Sequence, residues 1–310
     1  MKTGHQTVLL EEAVSALKLQ PDSRVVDGTY GAGGHSRAIL RLLSGQGRLL
    51  VLDRDPEACR QALKSFADDS RVVVRHASFA HLGSVIRELN WPSVHAVLLD
   101  LGVSSRQLED AERGFSFQRD GPLDMRLNRH EGTSIREWLA RASVDEIATV
   151  LKVYGEEPAA HRIARALVAR RSQTPITTTL QLADLVSSVV ARPSSNKHPA
   201  TRVFLALRIK ANDELEHLRQ GLDEALTSLA SSGRLVVISF HSLEDRIVKN
   251  FFSAAAAGQQ LPRSIPLNEQ ELANYREGHI LGPKIQPDRR EVARNRRARS
   301  AILRVLEKAA

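Results

Sequence analysis

The chain has one cysteine, Cys59, among 310 residues. A single thiol excludes an internal disulfide framework and any zinc site of the two- or four-cysteine kind, and it suits a reducing, cytoplasmic setting. Also missing is any run of about eighteen apolar residues, the least that a spanning helix needs. Glu11 and Glu12 stand where the apolar part of a signal peptide would lie, so neither export nor a membrane partner is expected. Neither a G-x-x-x-x-G-K-S/T phosphate loop nor a G-x-S-x-G nucleophile elbow occurs, which removes P-loop NTPases and elbow-type hydrolases. His76 and His81 are five apart and lack partners at metal-ligand spacing, and no metal is expected.

What is present fits a folded protein: 42% hydrophobic and 26% charged residues are ordinary for a globular chain. The net charge of +8 favours an anionic partner. That surplus is uneven. Residues 160–213 hold nine bases, including Arg162 and Arg165, against two acids, a net +7. Residues 284–310 hold nine bases, including Arg297 and Arg299, against three acids, a net +6, which leaves −5 for the remainder. Arginine-rich clusters on a mildly acidic body suit phosphates, because a guanidinium makes paired hydrogen bonds to oxyanions.

Short apolar runs at Val25-Val26, Leu49-Leu50-Val51-Leu52, Val72-Val73-Val74 and residues 94–99 alternate with helical patterns. This is the signature of βαβ units, a parallel sheet and a doubly wound α/β fold. Beyond Arg106 the strand signal stops for about a hundred residues, and Ile135, Trp138 and Leu139, then Leu182, Leu185, Val186 and Val189, follow helical spacing. Residues 234–240 resume the sheet. The expected organisation is therefore an α/β domain split into residues 1–107 and 212–310, a helical insertion over 108–211, and a basic tail over 284–310. Residues 254–266 and 283–287 read as loops.

Each early strand run is followed by chemistry. Asp27-Gly28-Thr29-Tyr30-Gly31-Ala32-Gly33-Gly34-His35 leaves the first strand and opens a helix, a turn that brings a ligand to backbone N–H groups. Ser36 stands where a dinucleotide fingerprint wants Gly or Ala, so that match is partial. Asp53 ends the second strand twenty residues after Gly33, where a carboxylate accepts from both hydroxyls of a ribose. Together they imply an adenosine-type cofactor. Asp100 ends the fourth strand at the same edge, an acceptor for an amine, and Phe79 could lie against an adenine. Cys59 and His241 read as structural, with Ser242 and Asp245 at cap-like spacing.

These residues, with Glu112-Arg113-Gly114-Phe115-Ser116-Phe117, Gly121-Pro122-Leu123-Asp124-Met125-Arg126, His5-Gln6-Thr7-Val8, His198-Pro199-Ala200-Thr201-Arg202 and Arg297-Ala298-Arg299-Ser300, closely resemble the RsmH (MraW) family. The resemblance covers nearly the whole chain; Asn295-Arg296 stands where the family shows Asn-Pro. It implies a class I (Rossmann-like) S-adenosylmethionine-dependent methyltransferase with an inserted helical domain. The implied activity is methylation of the exocyclic N4 of a cytidine in the decoding centre of 16S rRNA, within the small ribosomal subunit. The cofactor contacts implied are Gly33, Gly34, His35, Asp53, Phe79, Asp100 and Gln107. For proton removal from N4 the candidates are Asp100 first and Asp124 second, and Phe115 and Phe117 could stack on the extruded base. Two other classes compete: a NAD-linked oxidoreductase, weakened by the incomplete fingerprint, and a non-enzymatic rRNA-binding assembly factor, which would leave the cofactor residues idle.

Overall fold

The computed structural model describes residues 6–190, 198–258 and 276–310. His5, Arg192, Lys197 and the expected loop residues 259–266 lie outside the described residues. The chain forms two compact units, Met1–Gly102 with Leu215–Ala310, and Val103–Glu214. The sequence placed these boundaries at 107/108 and 211/212. The capping box that opens the helix after Ser104 belongs to the helical unit, and the helix from Glu214 runs on into the sheet unit.

The first unit is a seven-stranded sheet in the order β3-β2-β1-β4-β5-β7-β6. Its strands are β1 (Arg24–Asp27), β2 (Arg48–Asp53), β3 (Val72–His76), β4 (Val94–Asp100), β5 (Leu229–Ser239), β6 (Gly278–Ile280) and β7 (Ile302–Lys308). The first five pair in parallel and β7 runs antiparallel to both neighbours. Alternation along each strand feeds two cores, as the pleat requires. Val25, Leu49, Val51, Leu98, Val236 and Leu303 face one layer, made of α1 (Leu10–Ala16), α2 (Gly34–Leu42), α3 (Pro56–Ser65) and a 3-10 turn at Arg296–Ser300. Val26, Leu50, Leu52, Val97, Leu99 and Val237 face the other, made of α4 (Leu82–Glu88), α11 (Glu214–Ser228) and α12 (Ser242–Ala257).

The second unit is helical: α5 (Ser105–Glu109), α6 (Ile135–Arg141), α7 (Val144–Gly155), α8 (Ala160–Arg171), α9 (Thr179–Val189) and α10 (Thr201–Asn212). Ser104, Ser134, Ser143 and Thr178 open four of these helices, each with Gln or Glu three residues on closing a capping box. Its core is its own, built from Ile135, Leu139, Ile147, Leu151, Ile163, Leu167 and their neighbours. No helix among the described residues is long and apolar enough to cross a membrane.

Two expectations fail here, and the basic tail, expected within the split domain, proves to carry regular structure. Ala254–Ala257, read as loop, completes α12, since alanine is the best helix former. The basic tail is largely built into the fold: α13 (Arg289–Arg294) leads to β7, which lies between β5 and β6. The arginine run hid a strand whose Leu303 and Leu306 are fully buried. The cap of α12 is His241 with Glu244, not Ser242 with Asp245; His241 Nδ1 accepts from the Glu244 amide. Asp245 instead pairs with Arg304 of β7 through two hydrogen bonds at 2.8 and 3.0 Å.

If β7 is integral to the sheet, Leu303→Ala should cost about 2–5 kcal/mol of unfolding free energy in urea, as large-to-small core changes do. A change within experimental scatter would place this segment outside the cooperative fold.

Candidate active site

The site of the sheet unit is built from strand ends. Asp27, Asp53 and Asp100 close β1, β2 and β4, three neighbouring parallel strands, so their side chains meet along one carboxyl edge. Open α/β sheets bind ligands at this edge.

Asp27 is 1% exposed and organises the glycine loop. Its Oδ1 accepts from the Thr29 amide at 3.2 Å and its Oδ2 from the Ser36 hydroxyl at 2.5 Å, tying the start of the loop to the first turn of α2. Thr29 in turn offers Oγ1 to the Asp100 amide at 2.6 Å. Gly31 and Gly33 sit at φ of 54° and 77°, the left-handed region that suits glycine. A Cβ on Gly33 would strike the Tyr30 ring, and one on Gly34 would strike the Thr7 hydroxyl. The loop thus has no room for larger residues even before a ligand enters.

Asp53 buttresses the loop from β2. Its Oδ2 accepts from the Gly31 amide at 2.9 Å and its Oδ1 from the Asp55 amide at 2.8 Å. Each oxygen keeps a second acceptor direction, which matches two adjacent hydroxyls. Asp55 performs the capping of α3 through the Glu57 amide, which leaves Asp53 for the ligand edge. Burial pushes the Asp53 carboxyl up to about 6 despite these amides, and the nearby Asp55 and Asp27 charges add to the rise.

Asp100 differs from both. Its Oδ2 lies 3.6 Å from Nδ1 of His35, which is 4% exposed, while its Oδ1 is shut from solvent and has no hydrogen-bond partner among the described residues. An unsatisfied buried carboxylate oxygen is costly and points to an absent donor. Burial, then the Asp27 and Glu244 charges, push this carboxyl well above its usual range. Asp27 is raised as well, by burial, against the lowering effect of Ser36 and Thr29.

Phe79 follows β3 in a 3-10 turn, packed beside Gly28 and against Gly221 of α11, where any Cβ would strike its ring. Cys59 is core: it is 5% exposed, its Sγ lies 3.3 Å from the Asp53 carbonyl, and burial pushes its thiol up to about 12. Arg297 is half-buried and Arg299 exposed, both in the 3-10 turn before β7.

The helical unit holds the remaining candidates. Gln107 is 7% exposed on α5, and its side-chain oxygen accepts from the Ser104 amide at 2.7 Å. Asp124 is not a free carboxylate. Arg126 holds it through two hydrogen bonds of 2.7 and 2.9 Å; burial raises its pKa, but the Arg126 bonds and charge outweigh that and leave it lowered. Such a group is a poor proton acceptor, which corrects its standing as a candidate base. Phe115 is 5% exposed in the helical core under the Arg113 guanidinium, 5.6 Å from its ring centre, so the expectation that it stacks on a base is corrected to a packing role. Phe117 stays partly exposed, its ring 4.6 Å from His198 and 4.8 Å from Phe204. Between these elements Met125 adopts a left-handed φ of 65°, held by buried Asn212, which donates to the Met125 carbonyl and accepts from the Leu127 amide. Arg162 and Arg165 are exposed on α8, opposite buried Ile163, Ala164 and Leu167.

The sequence reading quoted Asp27, Thr29, Ser36 and Thr7 in its motifs but gave none of them a role of its own. The signal for Asp27 was present: it ends a strand just as Asp53 and Asp100 do.

Residues 2–309 match the model of the MraW methylase family. A protein named ribosomal RNA small subunit methyltransferase H from Shewanella oneidensis is 48% identical over 98% of this chain and 97% of its own length. Its namesake from Shewanella amazonensis is 50% identical over the same shares. A solved rRNA methylase from Streptococcus thermophilus covers 98% of both chains at 12% identity and a TM-score of 0.44.

The raised Asp53 carboxyl has a consequence for stability. Its folded value of about 6 exceeds the unfolded value, so its contribution is fully present below the unfolded pKa and is lost as pH rises through about 6. The melting temperature of the ligand-free protein relative to its Asp53→Asn variant should therefore rise as pH falls from 7.5 to 5. A difference that does not change with pH would contradict the burial of this charge.

Proposed function

The chain belongs to the MraW methylase family, and from that membership we propose that it transfers a methyl group from S-adenosylmethionine to the N4 of a cytidine in 16S rRNA. The coarse activity is S-adenosylmethionine-dependent methylation of small-subunit ribosomal RNA. The finer reading adds the cytosine N4, the decoding centre, the small ribosomal subunit as the particle acted on, and the cytoplasm as the place. The observation that carries it is the unsatisfied Asp100 Oδ1 beside the glycine loop and Asp53.

The residues present fit the cofactor. Asp53 has an acceptor direction free on each oxygen for the two ribose hydroxyls, and Gly33, Gly34 and His35 form the first turn of α2 beside it. Asp100 Oδ1 would accept from a cofactor amine or from the substrate amino group, Phe79 would border the adenine, and Gln107 enters by family resemblance alone. S-adenosylmethionine supplies an electrophilic methyl group on a sulfonium. The protein's task is then to hold an amine in line with that methyl, and positioning of this kind carries a large share of catalysis.

The N4 lone pair is delocalised into the cytosine ring, so an acceptor for one N–H makes the nitrogen a better nucleophile, an effect worth about 10² to 10⁴ in rate. Asp100, with its raised pKa, suits this better than Asp124, which Arg126 keeps ionised. Methylation at C5 would need a thiolate to attack the ring. Cys59, buried with its thiol pushed up to about 12, does not supply one. N4 lies on the pairing edge, so the target nucleotide is single-stranded or flipped out, and Phe117 is the aromatic offered to it. Arg162, Arg165, Arg297 and Arg299 meet rRNA phosphates.

Incubation with labelled S-adenosylmethionine and small ribosomal subunits should give N4-methylcytidine on mass spectrometry of the nucleosides; label on another base, or none, would refute the proposal. Asp53→Ala should weaken cofactor binding at least about 100-fold, because two hydrogen bonds to a charged acceptor contribute about 1.5–3 kcal/mol each. Unchanged affinity would remove Asp53 from the site.

A further inference from the structure

One layer of the sheet unit carries the arginine-rich segment. The core that packs α1, α2 and α3 also packs Ala298 and Ala301 of the arginine-rich segment, so all of them cover the same face of the sheet. The segment is fastened there: Glu291 of α13 accepts from the Leu9 amide at 2.8 Å, and Asn295 donates to the Gln6 carbonyl at 2.9 Å. The positive charge that the sequence assigned to a tail is thus fixed beside α1.

Further along this face, a groove of about 410 Å³ opens between α2 and the end of α3, lined by Arg37, Arg41, Lys64, Phe66, Asp68 and Asp69. Its charges do not cancel. Asp69 is held by Arg71 through two hydrogen bonds of 2.8 and 2.7 Å, and Arg71 also donates to the Leu40 and Leu43 carbonyls at the end of α2. Three exposed cations, Arg37, Arg41 and Lys64, therefore face one remaining acid, Asp68. Among the described residues neither Arg41 nor Lys64 has an ion-pair or hydrogen-bond partner. Arg37 and Arg41 stand one turn apart on one side of α2, where like charges repel. The first turn of α2 holds no acid, and the helix sequence GHSRAILRL contains none to offset them. Phe66, edge-on to Tyr30 at 6.1 Å, adds part of an aromatic ring to the groove.

We propose that this groove is a phosphate-binding site for the substrate rRNA strand, a second basic region beside the arginine-rich segment on the same face of the sheet unit. The proposal rests on the rRNA reading above. Arg37 and Arg41, on the same side of one helix, meet neighbouring phosphates of one strand, Lys64 meets them from α3, and the Phe66 ring lies against sugar or base. The chain then holds its substrate by two separate basic regions of the sheet unit in addition to Arg162 and Arg165.

The test uses the full-length Arg41→Gln/Lys64→Gln variant, whose side chains make no contact that folding needs. Binding to 16S rRNA is measured from low to high salt, with S-adenosylhomocysteine binding as a check on the cofactor site. The slope of log K against log salt should become shallower by about one to two, at roughly 0.7–0.9 per lost phosphate contact, with S-adenosylhomocysteine affinity unchanged. The charge-keeping variant Arg41→Lys/Lys64→Arg should restore the wild-type slope. A wild-type slope in the Gln variant overturns the groove and leaves the methyltransferase reading intact. Absence of N4-methylcytidine from wild-type reactions overturns that reading, and absence of wild-type rRNA binding overturns both.

Discussion

Three carboxylates line one edge of a parallel sheet, Asp27 buried and Asp53 and Asp100 half-buried, and much of the rest of the unit serves to hold them there. Burial raises all three, Asp53 to about 6. Two are satisfied by the protein itself. Asp27 takes the Thr29 amide and the Ser36 hydroxyl, Asp53 the Gly31 and Asp55 amides, and in doing so they fold the glycine loop. Asp100 retains an oxygen with no donor. A fold that tolerates such a group is prepared to meet a ligand, because preorganised acceptors need no rearrangement when the donor arrives.

The positive charge of this chain is clustered. Exposed cations cluster on α8, at the α2–α3 groove and in the arginine-rich segment, and others are scattered over both units. Positive clusters of this kind suit a polyanionic partner. The clustering also explains why a net charge of +8 says so little by itself.

The α/β alternation, the parallel order of the early strands and the helical insertion were legible because hydrophobic periodicity dictates them. Asp53 and Asp100 stood out because position at a strand end is itself a signal, and Gly33 because a glycine-rich turn follows the first strand. What was not legible depended on long-range pairing. β7 reads as a basic tail until β5 is there to pair with it, and Phe115 looks like a stacking ring until the helical core closes over it. Asp124 looked like a base because its sequence neighbour Arg126 gives no hint that it folds back to make two hydrogen bonds. The charge count likewise missed the α2–α3 groove, since its cations come from helices that meet only in three dimensions.

The central claim is that Asp53 and Asp100, half-buried at the strand ends, are the acceptors for an adenosine-type cofactor, and it is tested most directly by proton exchange on binding. A ligand that donates hydrogen bonds to these oxygens favours their ionised forms and must displace protons. Calorimetric titration with S-adenosylhomocysteine at pH 6, in buffers of different ionisation enthalpy, should show net proton release that disappears in the Asp53→Asn/Asp100→Asn variant or is lost with binding itself. Tight binding to the wild type with the same apparent enthalpy in every buffer would contradict the account.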